Sequence, residues 1–480
     1  MLKLRRLPSD ARSDTRVWER LPLHKALLRS TIIAVLVVPL SATPSGLAQA
    51  PCDFDRRHHT CKPSRLPTAV SSVLTRPLVR GMTNTATTSS LNGAPAASTA
   101  TDASATEVTY YVDDANGNDS LSGRSRASAW QTLRRASAER LNPGDRLLLK
   151  RGGSWAGTLT ISSSGTAGQP ITIGAFGRGS RPLLTANGCV HLDGSYLVAR
   201  NLRASKCNWS GFYIGGDHVR LRFSTASRNV AGIHVGYSAN RSVVARNRLR
   251  NNNRLSDGNG QFGILVNGTN TEVVRNRIDG SDGSAVELYG GSNVNGGALI
   301  HHNRTHSRVF SEMGKTTDNS LYYNVIISSQ HAAKGLVMHG ESSQHGPVSR
   351  IRFFNNSVYL PGPASQGWVC GGGCNGESLK LRNNIFRTTW KGGYADGAVD
   401  EDYNLYFGHE ILQFSKGRHS FVANPRFRRS RSGNLRLRRS SRAIDRGVST
   451  LARTDMDGFR VPFRVSRRRP GVDRGAYEYH

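Results

Sequence analysis

The 480-residue chain has room for one large domain or two to three ordinary ones. With 37% hydrophobic residues and 51 glycines it suits a turn-rich β protein better than a helical one. A formal net charge of +32 points either to a polyanionic partner or to an arginine-biased composition, since only ten of the 65 basic residues are Lys.

The first elements concern export. Basic residues in "MLKLRRL" through "HKALLRS" precede an apolar run, Thr31 to Ala42, of signal-peptide length. That run is short for a membrane span. Residues 1–50 are therefore expected to be a signal peptide, with an uncleaved anchor as the alternative, and no stable span is expected once the signal is removed. Residues 51–106, rich in Ser, Thr, Ala and Pro, bury too little apolar surface to order and are expected to be a disordered linker. Six cysteines fall in three close pairs: Cys52/Cys61, Cys189/Cys207 and Cys370/Cys374. Export permits disulfides, and local pairing is the expectation, although spacing alone does not fix connectivity.

Order is expected from "EVTYYVDD" onward: a strand from Val108 to Val112, then a short helix carrying Trp130, Leu133, Ala136, Ala138 and Leu141 on one face. Asn142, Pro143 and Gly144 stop it. From about residue 196 to 410 a strand with a central Asn recurs: Asn201, Asn247, Asn276, Asn303, Asn324, Asn356, Asn384 and Asn404, with Ser224 in the same place once. Strands ending in Gly lie between them, at Gly215, Gly236, Gly268, Gly290, Gly314, Gly340 and Gly371. Two registers interleaved at a spacing of 20 to 32 residues predict a solenoid of short strands, a parallel β-helix. Stacked Asn amides can hydrogen-bond from coil to coil and take left-handed turn geometry. In "HHNRTH", the adjacent His301 and His302 are expected on opposite sheet faces, which argues against a histidine metal site.

The segment "YYVDDANGNDS…SSSGTAGQPITIGAFG" and the tail "ANPRF…SSRAIDRG…GVDRGAYEY" resemble exported bacterial right-handed parallel β-helix proteins of the pectate-lyase-like superfamily. The resemblance covers about residues 107 to 479. It implies an all-β right-handed solenoid with a short N-terminal capping helix, over 107–412, and an Arg-rich closing segment, 413–480. It also implies a location outside the cell or in a bacterial envelope. It leaves the reaction open, because the superfamily holds lyases, hydrolases, epimerases and non-enzymatic proteins. The paired-Asp and G-H-G signature of polygalacturonases and the DPHE tetrad of mannuronan epimerases are absent.

A β-helix presents function on the outer face of one sheet, as polar residues at equivalent positions of neighbouring coils. Glu287, Glu312 with Lys315, and His339 with Glu341 follow this pattern on consecutive Gly-ending strands. The leading expectation is a monomeric lyase that cleaves acidic, uronate-containing polysaccharide by β-elimination. Lys315 or His339 would be the base. Asp282, Glu287 and Glu312 would hold Ca²⁺ or bind the sugar. Tyr289, His234, Glu341 and Lys334 would line the substrate path. A hydrolase would use Glu287 and Glu312 as acid and base instead. A non-catalytic carbohydrate-binding or adhesive solenoid is the reading from another class, and Glu312 with Lys315 would then be an ordinary surface pair. The 17 Arg between residues 418 and 474 are read as docking to a polyanion or as a solvated cap. Nucleic acid is not an expected partner, since no binding motif accompanies the charge.

Overall fold

In a computed structural model of the chain, the two registers resolve, among the described residues, into three long ladders of parallel strands, with a short one of three strands, Asn295–Gly296, Thr316–Thr317 and Val348–Ser349, over the middle coils. The structure describes residues 52–55, 60–63, 106–252, 261–291, 294–408, 411–451, 453–462 and 471–480. The expected signal peptide and the side chains of Cys52 and Cys61 lie outside them. The chain divides into two units, Met1–Thr99 and Ala100–His480. In the first, the strands Cys52–Asp55 and Thr60–Pro63 pair antiparallel. The second is a right-handed parallel β-helix.

One ladder of twelve strands runs from Thr109–Val112 to Asp400–Asp402 and carries the segments that precede each corner Asn. A second holds the short strands that follow it, such as Arg304–His306 and Val325–Ile327. The third holds the Gly-ending strands, among them Ser284–Tyr289, Val309–Gly314 and Lys334–His339. Inward residues of all three form one continuous apolar core from Tyr110 to Tyr406. The helix Leu133–Ala138 falls between the first two rungs in chain order and packs on the strand Ser154–Ile161; its cap is Thr132, whose hydroxyl accepts from the Arg135 N–H. Leu133 and Ala136 join the core with Trp130 and Leu141. Among the described residues no helix is long and apolar enough to cross a membrane.

The Asn residues occupy corners rather than strand centres. The left-handed residue is the one before each of them: Arg246, Arg275, His302, Tyr323, Asn355, Asn383 and Tyr403 all have φ between 50° and 60°. That turn aims the Asn side chain inward, where its amide bonds to the next. Asn276 Nδ2 donates to Asn303 Oδ1 at 3.1 Å, Asn303 to Asn324 at 3.1 Å, and Asn324 to Asn356 at 3.0 Å. Asn201 is an exception to the sequence reading. It is itself the left-handed residue, with φ 60°, and Leu202 stands in the ladder position beneath Ser224.

The same corner corrects the expectation for "HHNRTH". His301 ends a strand but His302 sits on the left-handed bend, so the alternation of a strand does not apply and the two rings meet, Nδ1 to Nδ1, at 2.8 Å. His301 Nε2 then reaches Glu272 at 3.0 Å, and His302 Nε2 donates to the Asp455 carbonyl at 2.8 Å. Asp455 belongs to the C-terminal segment, which lies over the outer face of the second ladder. There Phe427, Leu435, Ala443 and Tyr477 pack on Val325, Ile385 and Leu405. Several arginines of that segment serve the packing. Arg474 is buried and donates to the carbonyls of Asn404, His419 and Arg446.

Burial, aided by the charges of His301 and Arg275, pushes His302 down to about 4. A histidine held neutral in the fold favours the native state above its unfolded value near 6.5, and that stability is lost as pH falls from there toward 4. We expect stability, read from denaturant unfolding, to drop over this window by up to about 3 kcal/mol. The difference between wild type and His302→Gln, which cannot titrate, should shrink as pH falls from 7 to 4. A difference constant with pH would assign the acid sensitivity to other groups.

Disulfides join Cys189 to Cys207 and Cys370 to Cys374, two of the expected local pairs.

Candidate active site

The outward positions of the third ladder form a column in strict register. It runs Tyr213, His234, Leu265, Glu287, Glu312, Val337, Val369 and Tyr394, one residue per coil. Glu287 and Glu312 are direct neighbours in it, so their Cα atoms are about 4.8 Å apart, the spacing of paired strands. A second outward column lies two residues further on and includes Tyr289, Gly314 and His339. Gly314 is what keeps it open. A Cβ there would come within 2.7 Å of the Tyr289 ring and of the His345 carbonyl.

A cavity of about 290 Å³ opens over the two columns. Glu287, Glu312, Tyr289 and His339 line it, and so do Arg308, Gln261 and His345 from the flanking turns. His339 Nε2 meets Glu312 Oε1 at 3.1 Å, and the His339 and His345 rings stand 5.2 Å apart. The two carboxyls are driven in opposite directions. Burial, reinforced by the negative charge of Glu312, raises Glu287 to about 8. The hydrogen bond from His339, with the positive charges of His339, Lys334 and His345, holds Glu312 below the usual glutamate range. At neutral pH one carboxyl is therefore a proton donor and its neighbour an anion.

The other expected site residues fall at different distances from this pair. Lys315 occupies the left-handed bend after its strand, with φ 48°. Its N–H donates to the His345 carbonyl and its own carbonyl accepts from Asn295, and it is not among the residues lining the cavity. Lys334 starts the strand Lys334–His339, half-buried, and acts on Glu312 by its charge. Glu341 and Asp282 are exposed residues of the turns. Among the described residues no group of three or more His, Cys, Asp and Glu side chains is arranged to hold a metal ion. Asp282 lies in the turn before the strand that carries Glu287.

His234 lies two coils from Glu287 on the same column. Its Nδ1 accepts from Trp209 Nε1 at 3.4 Å, its Nε2 donates to Asn267 Oδ1 at 2.7 Å, and Asn267 Nδ2 donates to the Tyr289 carbonyl at 2.7 Å. Arg308, Gln261, Trp209 and Tyr213 were not singled out from the sequence. Arg308 has no distinguishing mark in a chain so rich in Arg. Tyr213 could have been found by counting register back from Glu287.

No family model matches the chain. A curated lacto-N-biosidase of Bifidobacterium longum subsp. longum is 37% identical over 87 residues, which are 17% of this chain and 5% of that protein. The chain thus spans about one twentieth of the length of the curated relative it matches. Among solved structures, pectate lyase Pel9A aligns with a TM-score of 0.52 at 16% identity, over 78% of this chain and 97% of that one. The complex of XylC with xylose aligns with a TM-score of 0.52 at 9% identity, over 77% and 98%. Likeness at such identities is a likeness of fold.

Proposed function

We propose that this β-helix is a glycoside hydrolase that cleaves a carbohydrate chain laid along the groove of its third ladder. The observation that carries the reading is the Glu287–Glu312 pair, neighbours on adjacent coils whose surroundings push them to opposite protonation states. Two carboxyls with one proton between them are what glycosidic cleavage needs. Glu287 donates its proton to the glycosidic oxygen as the C–O bond breaks. Glu312, kept ionised by His339, attacks the anomeric carbon from the other side. Water then adds to the glycosyl ester, returning its proton to Glu287 and freeing Glu312. A strand spacing of about 4.8 Å suits the short separation of a retaining pair, not the longer one of an inverting pair. The curated relative named a lacto-N-biosidase and the structural neighbour bound to xylose both concern carbohydrate.

A second reading, β-elimination on a uronate polymer, is favoured by the side chains around the pair. Protonated Glu287 and Arg308 would face the substrate carboxylate, and His339 would take the adjacent proton. That reading draws on the pectate lyase neighbour for its fold alone. The products separate the two. Incubation with neutral β-linked oligosaccharides, pectate and alginate should give new reducing ends without ultraviolet absorbance from an unsaturated uronate. Absorbance appearing in step with cleavage would replace hydrolysis by elimination. Neither signal on any substrate would leave a binding solenoid.

A further inference from the structure

The column that holds the two glutamates continues toward the N-terminal coils as rings. His191, Tyr213 and His234 follow one another in register, and the Tyr213 ring lies 5.3 Å from His191 and 5.2 Å from His234. Trp209 stands at the rim of these coils, 42% exposed, among the few large apolar side chains left in solvent. Its indole N–H is tied to His234, and His234 in turn to Asn267 and the backbone of Tyr289 in the cavity wall. Both nitrogens of His234 are thus engaged, and burial lowers its proton affinity, so this imidazole is a fixed strut and not an acid or base. In the neighbouring outward column Gly215 and Gly236 carry no side chain. A Cβ on Gly236 would meet the Tyr213 hydroxyl at 2.4 Å, so the floor beside the ring is kept low. Neither column bears a Lys or Arg on these coils: one reads His191, Tyr213, His234, Leu265, and the other begins with Asp193.

We infer that this stretch is a distal subsite that binds a neutral sugar ring of an extended oligosaccharide, by stacking on Tyr213 and Trp209. The inference rests on the reading of the Glu287–Glu312 pair as a carbohydrate-cleaving site and names the substrate class it takes. Sugars present an apolar face to an aromatic ring and hydroxyls to its polar rim, which is what the Tyr213 ring and an indole held by the His234 imidazole offer. The two columns, free of Lys and Arg on these coils and with Asp193 at their start, select against a uronate laid along them. Tyr213 is three coils from Glu287, roughly 14 Å at about 4.8 Å per coil. An oligosaccharide spans that distance and a monosaccharide does not. Binding energy gathered there is available to position the scissile bond over the glutamates.

The test uses Glu287→Gln protein, which should bind without turning substrate over. Its affinity is measured for neutral xylo-, galacto- and N-acetylglucosamine-containing oligosaccharides of graded length, with oligogalacturonates beside them. We expect affinity for a neutral series to rise with length. We expect Trp209→Ala and Tyr213→Ala to weaken the longest members at least about tenfold and leave the shortest unchanged, and Trp209→Phe to recover part of the loss. Trp209 is exposed, so its truncation should not change the melting temperature, which is recorded for each variant. Equal affinity of parent and Trp209→Ala, a preference for oligogalacturonates, or no retention of any neutral series would overturn the subsite. Length-dependent binding that needs Trp209, in a wild-type protein that cleaves none of these sugars, would uphold the subsite and remove the hydrolase.

Discussion

Replacing Glu312 with Gln should lower turnover by about 10³-fold or more, and replacing Glu287 with Gln should do nearly the same, while substrate affinity changes little. The two losses should differ in kind. Glu312→Gly removes the anion that attacks the anomeric carbon, and a small external nucleophile such as azide should restore part of the rate by taking its place. In Glu287→Gln the missing group is a proton donor, so only substrates whose leaving group needs no protonation should retain activity. The pH profile of the wild type follows from the same pair. Glu312 must be ionised, and His339 holds it below the usual glutamate range, so the acid limb should lie low. Glu287 must be protonated, and burial beside Glu312 raises it to about 8, so activity should fall as pH rises through that value. His339→Ala should move the acid limb upward, because Glu312 loses its donor, and should narrow the bell. A profile unchanged in His339→Ala, or full activity in Glu312→Gln, would end the assignment of Glu312.

The sequence is informative about this site because a β-helix writes its outer face at fixed phase. Glu287, Glu312 and His339 could be aligned by their distance from the Gly that ends each strand, and the structure brings them to one cavity. Phase does not report what happens in the bends. Lys315 is adjacent to Gly314 in sequence, yet its left-handed backbone turns it away from the cavity lining, which no count of residues reveals. The split protonation of the two glutamates was equally hidden. It depends on the burial of Glu287 beside Glu312 and on His339 crossing from the second column to Glu312. His302 was misplaced for a related reason: strand alternation was carried across a residue that is not in a strand. The Arg-rich tail was read by composition, which does not distinguish solvated guanidinium from one, like Arg474, buried against three carbonyls.

The largest loss of stability from a single polar residue should come from the middle of the Asn ladder. Asn324 is fully buried and engaged on every side. Its Oδ1 accepts from both the backbone N–H and the side-chain amide of Asn303, at 3.0 and 3.1 Å. Its Nδ2 donates to the Ile300 carbonyl at 2.8 Å and to Asn356 Oδ1 at 3.0 Å. Truncation to Ala strands two donors and weakens two acceptors in an interior that water does not reach. At about 1–3 kcal/mol for an unsatisfied buried group, the cost should be about 3–5 kcal/mol, allowing for partial relaxation. Asn324→Asp is the sharper test, since it changes neither size nor shape. The oxygen that accepts from Asn303 survives, but the second oxygen now faces the Ile300 carbonyl and Asn356 Oδ1, two acceptors where a donor is needed. If protonated the acid can donate once; if ionised it repels both. The Asp variant should therefore lose stability comparable to Ala at neutral pH and recover part of it as pH falls, whereas the Ala variant should show no such recovery. Denaturant midpoints at pH 7 and pH 5 read both. A midpoint in Asn324→Asp that equals wild type at pH 7 would mean that the amides stack without bonding, and that the ladder contributes shape alone.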